Sequence, residues 1–155
     1  MTNYSTSIIL LLILFLIACK NETIDNAFDF DIETMDKESN KFYLIGTIRY
    51  RLKSRLEKKL QRKYDGHYKD SLFGPVISTI SNETLKEYSA GEIYNYKRDE
   101  VEQKLREKVR TTFAQYDIEL TKFSIWSVKL PDSLMHRLEK EHIERLNSKK
   151  PEDKN

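Results

Sequence analysis

The sequence predicts an α+β fold: a small antiparallel or mixed sheet with helices packed on one face. Three observations carry this. Two early segments and one late one alternate with a period of two, the stretch between them follows the helical period, and a last helical segment follows the third strand. At 155 residues, with 39% hydrophobic and 34% charged side chains, the chain holds one domain and a short appendage. A net charge of +2 makes no global case for binding nucleic acid or a membrane. A single cysteine excludes an internal disulfide and a cysteine-built zinc site.

Residues 1–18 carry no charged side chain, and Ile8 to Cys19 reads IILLLILFLIAC. That run is shorter than the roughly 20 residues a helix needs to cross a bilayer, and it has the length of the apolar core of a signal peptide. Leu16, Ile17, Ala18 and Cys19 resemble the bacterial lipobox, an aliphatic and a small residue before an obligatory cysteine. The resemblance implies diacylglycerol on the Cys19 thiol, cleavage before Cys19 and acylation of the new amino terminus. Met1 to Ser7 has no Lys or Arg, where such signals usually carry one. A retained short anchor and an ordinary buried segment are the other readings. The expected division is a signal peptide at 1–18, a flexible acidic tether at 19–27, a folded domain at 28–147 and a disordered tail at 148–155.

Residues 20–40 carry seven acidic side chains against two lysines. Phe28, Phe30 and Ile32 alternate with acids and predict a half-exposed strand. Phe42, Leu44, Ile48, Tyr50 and Leu52 share one parity with Gly46, which marks a bulge or a close approach. These two strands form a hairpin. Leu56, Leu60 and Tyr64 give a helical stripe ended by Asp65-Gly66. After a short turn from Tyr68 to Phe73, Gly74-Pro75 opens a helix with Ile77, Ile80, Thr84 and Tyr88 on one face. Ser89-Ala90-Gly91 breaks it. A longer helix from about Lys97 aligns Val101, Leu105, Val109, Thr112, Phe113 and Tyr116, and Asp117 takes a left-handed cap position. Ile118 to Leu130 returns to strand. Pro131-Asp132 opens a last helix carrying Leu134, Met135, Leu138, Ile143 and Leu146.

This order resembles the SPFH family (stomatin, prohibitin, flotillin and the HflK/HflC-type proteins), also called the band-seven domain. The resemblance rests on Thr34 and Asp36; Thr47-Ile48-Arg49-Tyr50-Arg51-Leu52; Tyr68, Leu72, Pro75, Ile77 and Ser78; Ser89-Ala90-Gly91-Glu92-Ile93 and Arg98; and Ile118, Leu120, Leu130 and Pro131. The family's glycine after the Arg-led helix is Asp117 here, and its first glycine-containing strand is missing. Family members continue into a long coiled coil, whereas about two dozen residues follow Pro131 here. The expectation is a truncated, minimal SPFH domain that lacks the coiled coil with which family members build rings or cages. The resemblance implies a scaffold that organises membrane proteins or restrains a membrane protease, as a homo-oligomer or with a membrane-protein partner.

No catalytic constellation is present: no G-x-S-x-G, no H-E-x-x-H and no phosphate-cradling loop among four glycines. His136, Glu139 and His142 recur along the last helix within a charged stretch, which reads as a solvated face rather than a metal site. Asn21 and Asn82 begin glycosylation sequons that a bacterial lipobox makes irrelevant. The expectation is therefore a protein that is not an enzyme, with no cofactor, no metal, no nucleic acid and no small-molecule substrate. An unrelated α+β envelope lipoprotein binding a small ligand or glycan is the rival. The location expected is the bacterial envelope, facing out of the cytoplasm. Charge is segregated, with Arg49, Arg51, Lys53, Arg55, Lys58, Lys59, Arg62 and Lys63 broken only by Glu57. Anionic lipid, a neighbouring subunit's acidic segment, or simple solvation are the three uses open to Arg51, Arg55, Lys58, Lys59, Arg62 and Lys63.

Overall fold

The computed structural model describes residues 23–148, with side chains as far as residue 144. The expected signal peptide at 1–18, Cys19, Asn21 and the tail from residue 149 lie outside the described residues. Strand β1 (Thr23–Met35) and strand β2 (Lys41–Lys53) form the expected hairpin, and β3 (Glu119–Lys129) pairs antiparallel on the far side of β2. The sheet is purely antiparallel, in the order β1-β2-β3. Among the described residues five α-helices accompany it: α1 (Ser54–Lys63), α2 (Gly74–Leu85), the single turn α3 (Ala90–Glu92), α4 (Arg98–Ala114) and α5 (Asp132–Ser148).

Parity decides the layering. Phe42, Leu44, Ile48, Tyr50 and Leu52 all point inward and are at most 2% exposed. Phe30 and Ile32 of β1 and Leu120, Phe123, Ile125 and Val128 of β3 join them. Against this face pack Ile77, Ile80 and Leu85 of α2 and Val101, Leu105, Val109 and Phe113 of α4, so both helices bury one apolar stripe.

Three local expectations are corrected. The strand β1 starts at Thr23, five residues before Phe28, so the second half of the segment expected to be a tether is sheet. Asn26 occupies an inward position there and hides the alternation, while Ile24 opposite Leu52 and Asp25 opposite Arg51 continue it. The turn expected at Tyr68–Phe73 is a π-helical turn, Lys69–Phe73, that runs directly into α2. It turns Phe73 into the aromatic centre of the core, with ring centroids 4.7 Å from Tyr50, 4.8 Å from Phe113, 5.6 Å from Tyr68 and 5.8 Å from Phe28. Tyr116, placed on the buried side of its helix by periodicity, is exposed because α4 ends at Ala114.

Ser89-Ala90-Gly91 ends one helix and starts another. The Ser89 hydroxyl accepts from the Glu92 backbone N–H at 3.2 Å, and the Glu92 carboxylate accepts from the Ser89 N–H at 2.8 Å, a reciprocal capping box. Asp65 and Gly66, with φ of 47° and 84°, end α1 as expected, and Asp117 sits left-handed at φ 59°.

Tyr50 and Tyr68 meet hydroxyl to hydroxyl at 3.0 Å, and Tyr68 donates onward to Glu57 at 3.4 Å, leaving Tyr50 as donor to Tyr68. Burial pushes the Tyr50 hydroxyl well above the ordinary tyrosine range. Tyr50→Phe is expected to lower stability by about 1 kcal/mol, the worth of one buried hydrogen bond, as read by urea unfolding.

Candidate interaction surfaces

The basic stripe of the sequence divides where β2 becomes α1, because the side-chain period changes from 2 to 3.6 at Ser54. Arg49, Arg51 and Lys53 stand on the solvent face of the sheet. Arg51 is taken up there: its guanidinium lies 2.6 Å from Asp25 and 3.7 Å from Glu119, bridging all three strands. Arg55, Lys58, Lys59, Arg62 and Lys63 lie together on α1 and are exposed. Opposite them, Leu60 is buried and Leu56 and Tyr64 are half-buried against the core. Among the described residues none of these five cations is in an ion pair. Arg62 donates to the Lys58 carbonyl at 3.2 Å, and the Lys63 ammonium lies over the Tyr64 ring at 5.1 Å.

The solvent face of the sheet is a second surface. Asp25, Asp29, Asp31 and Glu33 line β1, and most meet a partner across the sheet. Glu33 accepts from Lys41 at 2.8 Å and Tyr43 at 3.0 Å, which lowers its carboxyl from the usual value. Asp29 accepts from the Thr47 hydroxyl at 2.5 Å, and Thr47 accepts from the Trp126 indole N–H at 3.3 Å. Trp126 is the extra residue of a β-bulge: Ile45 pairs with Ser127 and Gly46 with Ile125. The only tryptophan follows the inward Ile125 and faces outward, 58% exposed, and the bulge returns Val128 to the inward side. Gly46, opposite the bulge, was its signal.

The free edge of β3 is closed by α4. Arg98 donates to the Ile125 carbonyl through Nε at 3.1 Å and also through Nη2, and Glu102 accepts from the Ile125 N–H at 2.9 Å. Those two side chains satisfy backbone groups that an edge strand would otherwise offer to another chain.

At the hairpin turn, an open groove of about 650 Å³ runs between residues 36–40, the α3 region and α5. Several of its polar groups are already engaged. Glu92 binds Lys37 at 2.9 Å and Lys97 at 3.4 Å, and Arg137 reaches Glu38 at 3.6 Å and Asn40 at 3.2 Å. The Ser89 N–H and then the Lys37 ammonium hold the Glu92 carboxyl down at about 2. His136 lies 3.6 Å from Glu139 on the exposed side of α5, and among the described residues no group of His, Cys, Asp and Glu has metal-binding geometry. Also among the described residues, no helix is long and apolar enough to cross a membrane. The α5 helix is seated through Leu134 and Leu138, the latter against Gly91, while Ile143 stands exposed.

The architecture is a three-stranded antiparallel sheet covered on one face by helices, with many of its polar groups bound into turns and strand edges. The chain belongs to the SPFH domain / Band 7 family, whose family model matches residues 10–153. Comparison with curated proteins gives no match. Membership supports a membrane-associated, scaffold-type role in general.

Proposed function

We propose that this chain is a membrane-tethered, non-enzymatic SPFH lipoprotein of the bacterial envelope, facing out of the cytoplasm. It holds or modulates membrane proteins, a membrane protease among them, alone or as a homo-oligomer. The observation that carries the tether is Leu16-Ile17-Ala18-Cys19 at the end of an uncharged run, with the domain starting four residues later at Thr23. Lipoprotein processing leaves about three acyl chains, and two suffice for stable anchoring.

Two features support a scaffold over a catalyst or a small-ligand binder. Asp36 and Glu92, carboxylates held below their usual values, are consumed by turn and capping hydrogen bonds. In the groove beside them, Glu92 is engaged by Lys37 and Arg137 by Glu38 and Asn40. The small-ligand rival assumed an unrelated fold, and the chain's family removes that premise.

Cys19→Ser is expected to move most of the protein from the membrane pellet to the soluble fraction on fractionation of expressing cells. Unchanged retention would sink lipid attachment and leave residues 8–18 as a short anchor.

A further inference from the structure

The end of the sheet where the chain enters is the end where α1 begins. Thr23, the first residue of β1, pairs with Lys53, and Ser54 opens α1. Only Lys20, Asn21 and Glu22 separate Cys19 from Thr23. Four Cα–Cα steps span at most about 14 Å, so a lipid on Cys19 brings this end of the sheet down to the headgroups.

We propose that α1 is a lipid-docking helix whose face of Arg55, Lys58, Lys59, Arg62 and Lys63 binds anionic headgroups of the same membrane. This rests on the tethered reading above. The five cations recur at i, i+3, i+4, i+7 and i+8 and occupy an arc of roughly 140° at 100° per residue. The opposite side, Leu56, Leu60 and Tyr64, is fixed to the core, so the helix presents one sign of charge outward on a rigid mount. The one acid of the helix, Glu57, is drawn away from that face by the Tyr68 hydroxyl.

Charge balance separates this end from the other. At the hairpin turn Lys37, Lys41 and Arg137 each have a carboxylate partner. At the α1 end the carboxylates Asp25 and Glu119 are both drawn to Arg51, and among the described residues no carboxylate is in an ion pair with Arg55, Lys58, Lys59, Arg62 or Lys63. A second copy of the chain is the competing occupant, through the acidic row on β1. Two of its four acids are already paired, Asp25 with Arg51 and Glu33 with Lys41, and Asp29 is hydrogen-bonded by the Thr47 hydroxyl, which weakens that row as a partner and favours the bilayer. Each lysine or arginine near an anionic surface raises partitioning about fivefold, and the effect fades over a Debye length.

The test uses the full lipid-bearing chain in phosphatidylcholine vesicles with or without phosphatidylglycerol, and follows amine acylation of individual lysines by mass spectrometry. Lys58, Lys59 and Lys63 are expected to react about tenfold slower on the anionic vesicles at low salt. High salt should restore them, while Lys129 on the sheet face is unchanged. The triple variant Arg55→Glu/Lys59→Glu/Arg62→Glu, confined to exposed side chains, should equalise Lys58 and Lys63 between the two vesicle types. Equal lysine rates in the unmutated chain, attached to both vesicles, would overturn docking and leave the tether standing. Slowing that also occurs on neutral vesicles and grows with protein density would assign the face to a second copy and overturn the lipid assignment. A chain that attaches to neither vesicle would overturn both.

Discussion

Gly46→Ala is expected to destabilise the domain by about 3 kcal/mol and to lower its melting temperature by roughly 6–12 °C. A Cβ built at Gly46 would lie 2.3 Å from the Ser124 carbonyl oxygen and 2.4 Å from Cζ of Phe30. Neither neighbour can yield freely. Ser124 belongs to the central run of β3, where it pairs with Thr47, and moving its carbonyl disturbs the bulge at Trp126. Phe30 is 4% exposed and tilted against Phe123 with centroids 5.4 Å apart, so its ring is held from the other side. Overpacking a core usually costs about 1–3 kcal/mol, and a clash with backbone belongs at the upper end. Thermal unfolding by circular dichroism reads the shift, and Trp126 fluorescence reports whether the bulge has moved. An unchanged melting temperature would show that β2 and β3 can re-pair around the added methyl.

The same glycine shows how far the sequence alone reaches. Strand parity placed the inward residues of β2 correctly, because one face of a half-buried strand must be apolar and only one register achieves that. It also marked Gly46 as an exception, and the structure makes it both a close approach and the partner of a bulge. Parity did not show where β3 takes up the extra residue, since a bulge resets it on one strand at a point fixed by its neighbour. Asn26 concealed the first five residues of β1 for a related reason. Pairing with an already formed β2, and the Asp25–Arg51 contact, hold that segment in the sheet despite a polar inward side chain.

Helix ends followed the same division. Asp65-Gly66 and Asp117 announce left-handed backbone by residue type, and the chain obeys. The spacing S-x-x-E from Ser89 to Glu92 is a capping signature that reads as a break only when glycine is weighed first. The π-helical turn at Lys69–Phe73 has no comparable local signal, because it is set by the need to aim Phe73 at four other rings. Of the candidate surface, the cations of α1 were visible as one helical face. The separate engagement of Arg51 was not, since its partners Asp25 and Glu119 lie on strands 26 and 68 residues away.

Asp36→Ala should have the second large effect, about 3–5 kcal/mol, because one buried carboxylate joins two distant parts of the chain. Asp36 is 3% exposed at the start of the hairpin turn. Its Oδ1 accepts from the backbone N–H of Glu38 at 2.9 Å and of Asn40 at 2.8 Å, which closes the turn around the left-handed Ser39. Its Oδ2 accepts from the Asn40 side-chain amide at 2.9 Å and, across 54 residues, from the Ala90 N–H at 2.8 Å. Truncation leaves that Ala90 N–H buried without an acceptor. Asp36→Asn keeps the shape but turns an amide donor toward one pair of donors, so it should lose about 2 kcal/mol rather than rescue the site. Burial raises the Asp36 carboxyl, and the hydrogen bonds from Asn40, Ala90 and Glu38 outweigh it, leaving the folded value below the ordinary 3.8. A lowered folded value means that the stabilisation is complete above the unfolded value and is lost as pH falls through the folded one. Glu92 titrates over an overlapping acid range in both proteins, so the difference between them isolates Asp36. Urea unfolding should therefore show a wide gap between the unmutated chain and Asp36→Ala at about pH 7 and a narrower one at about pH 3. A gap that stays constant between those values would mean the loss comes from packing alone, with the charge of Asp36 contributing nothing to the hairpin's hold on α3.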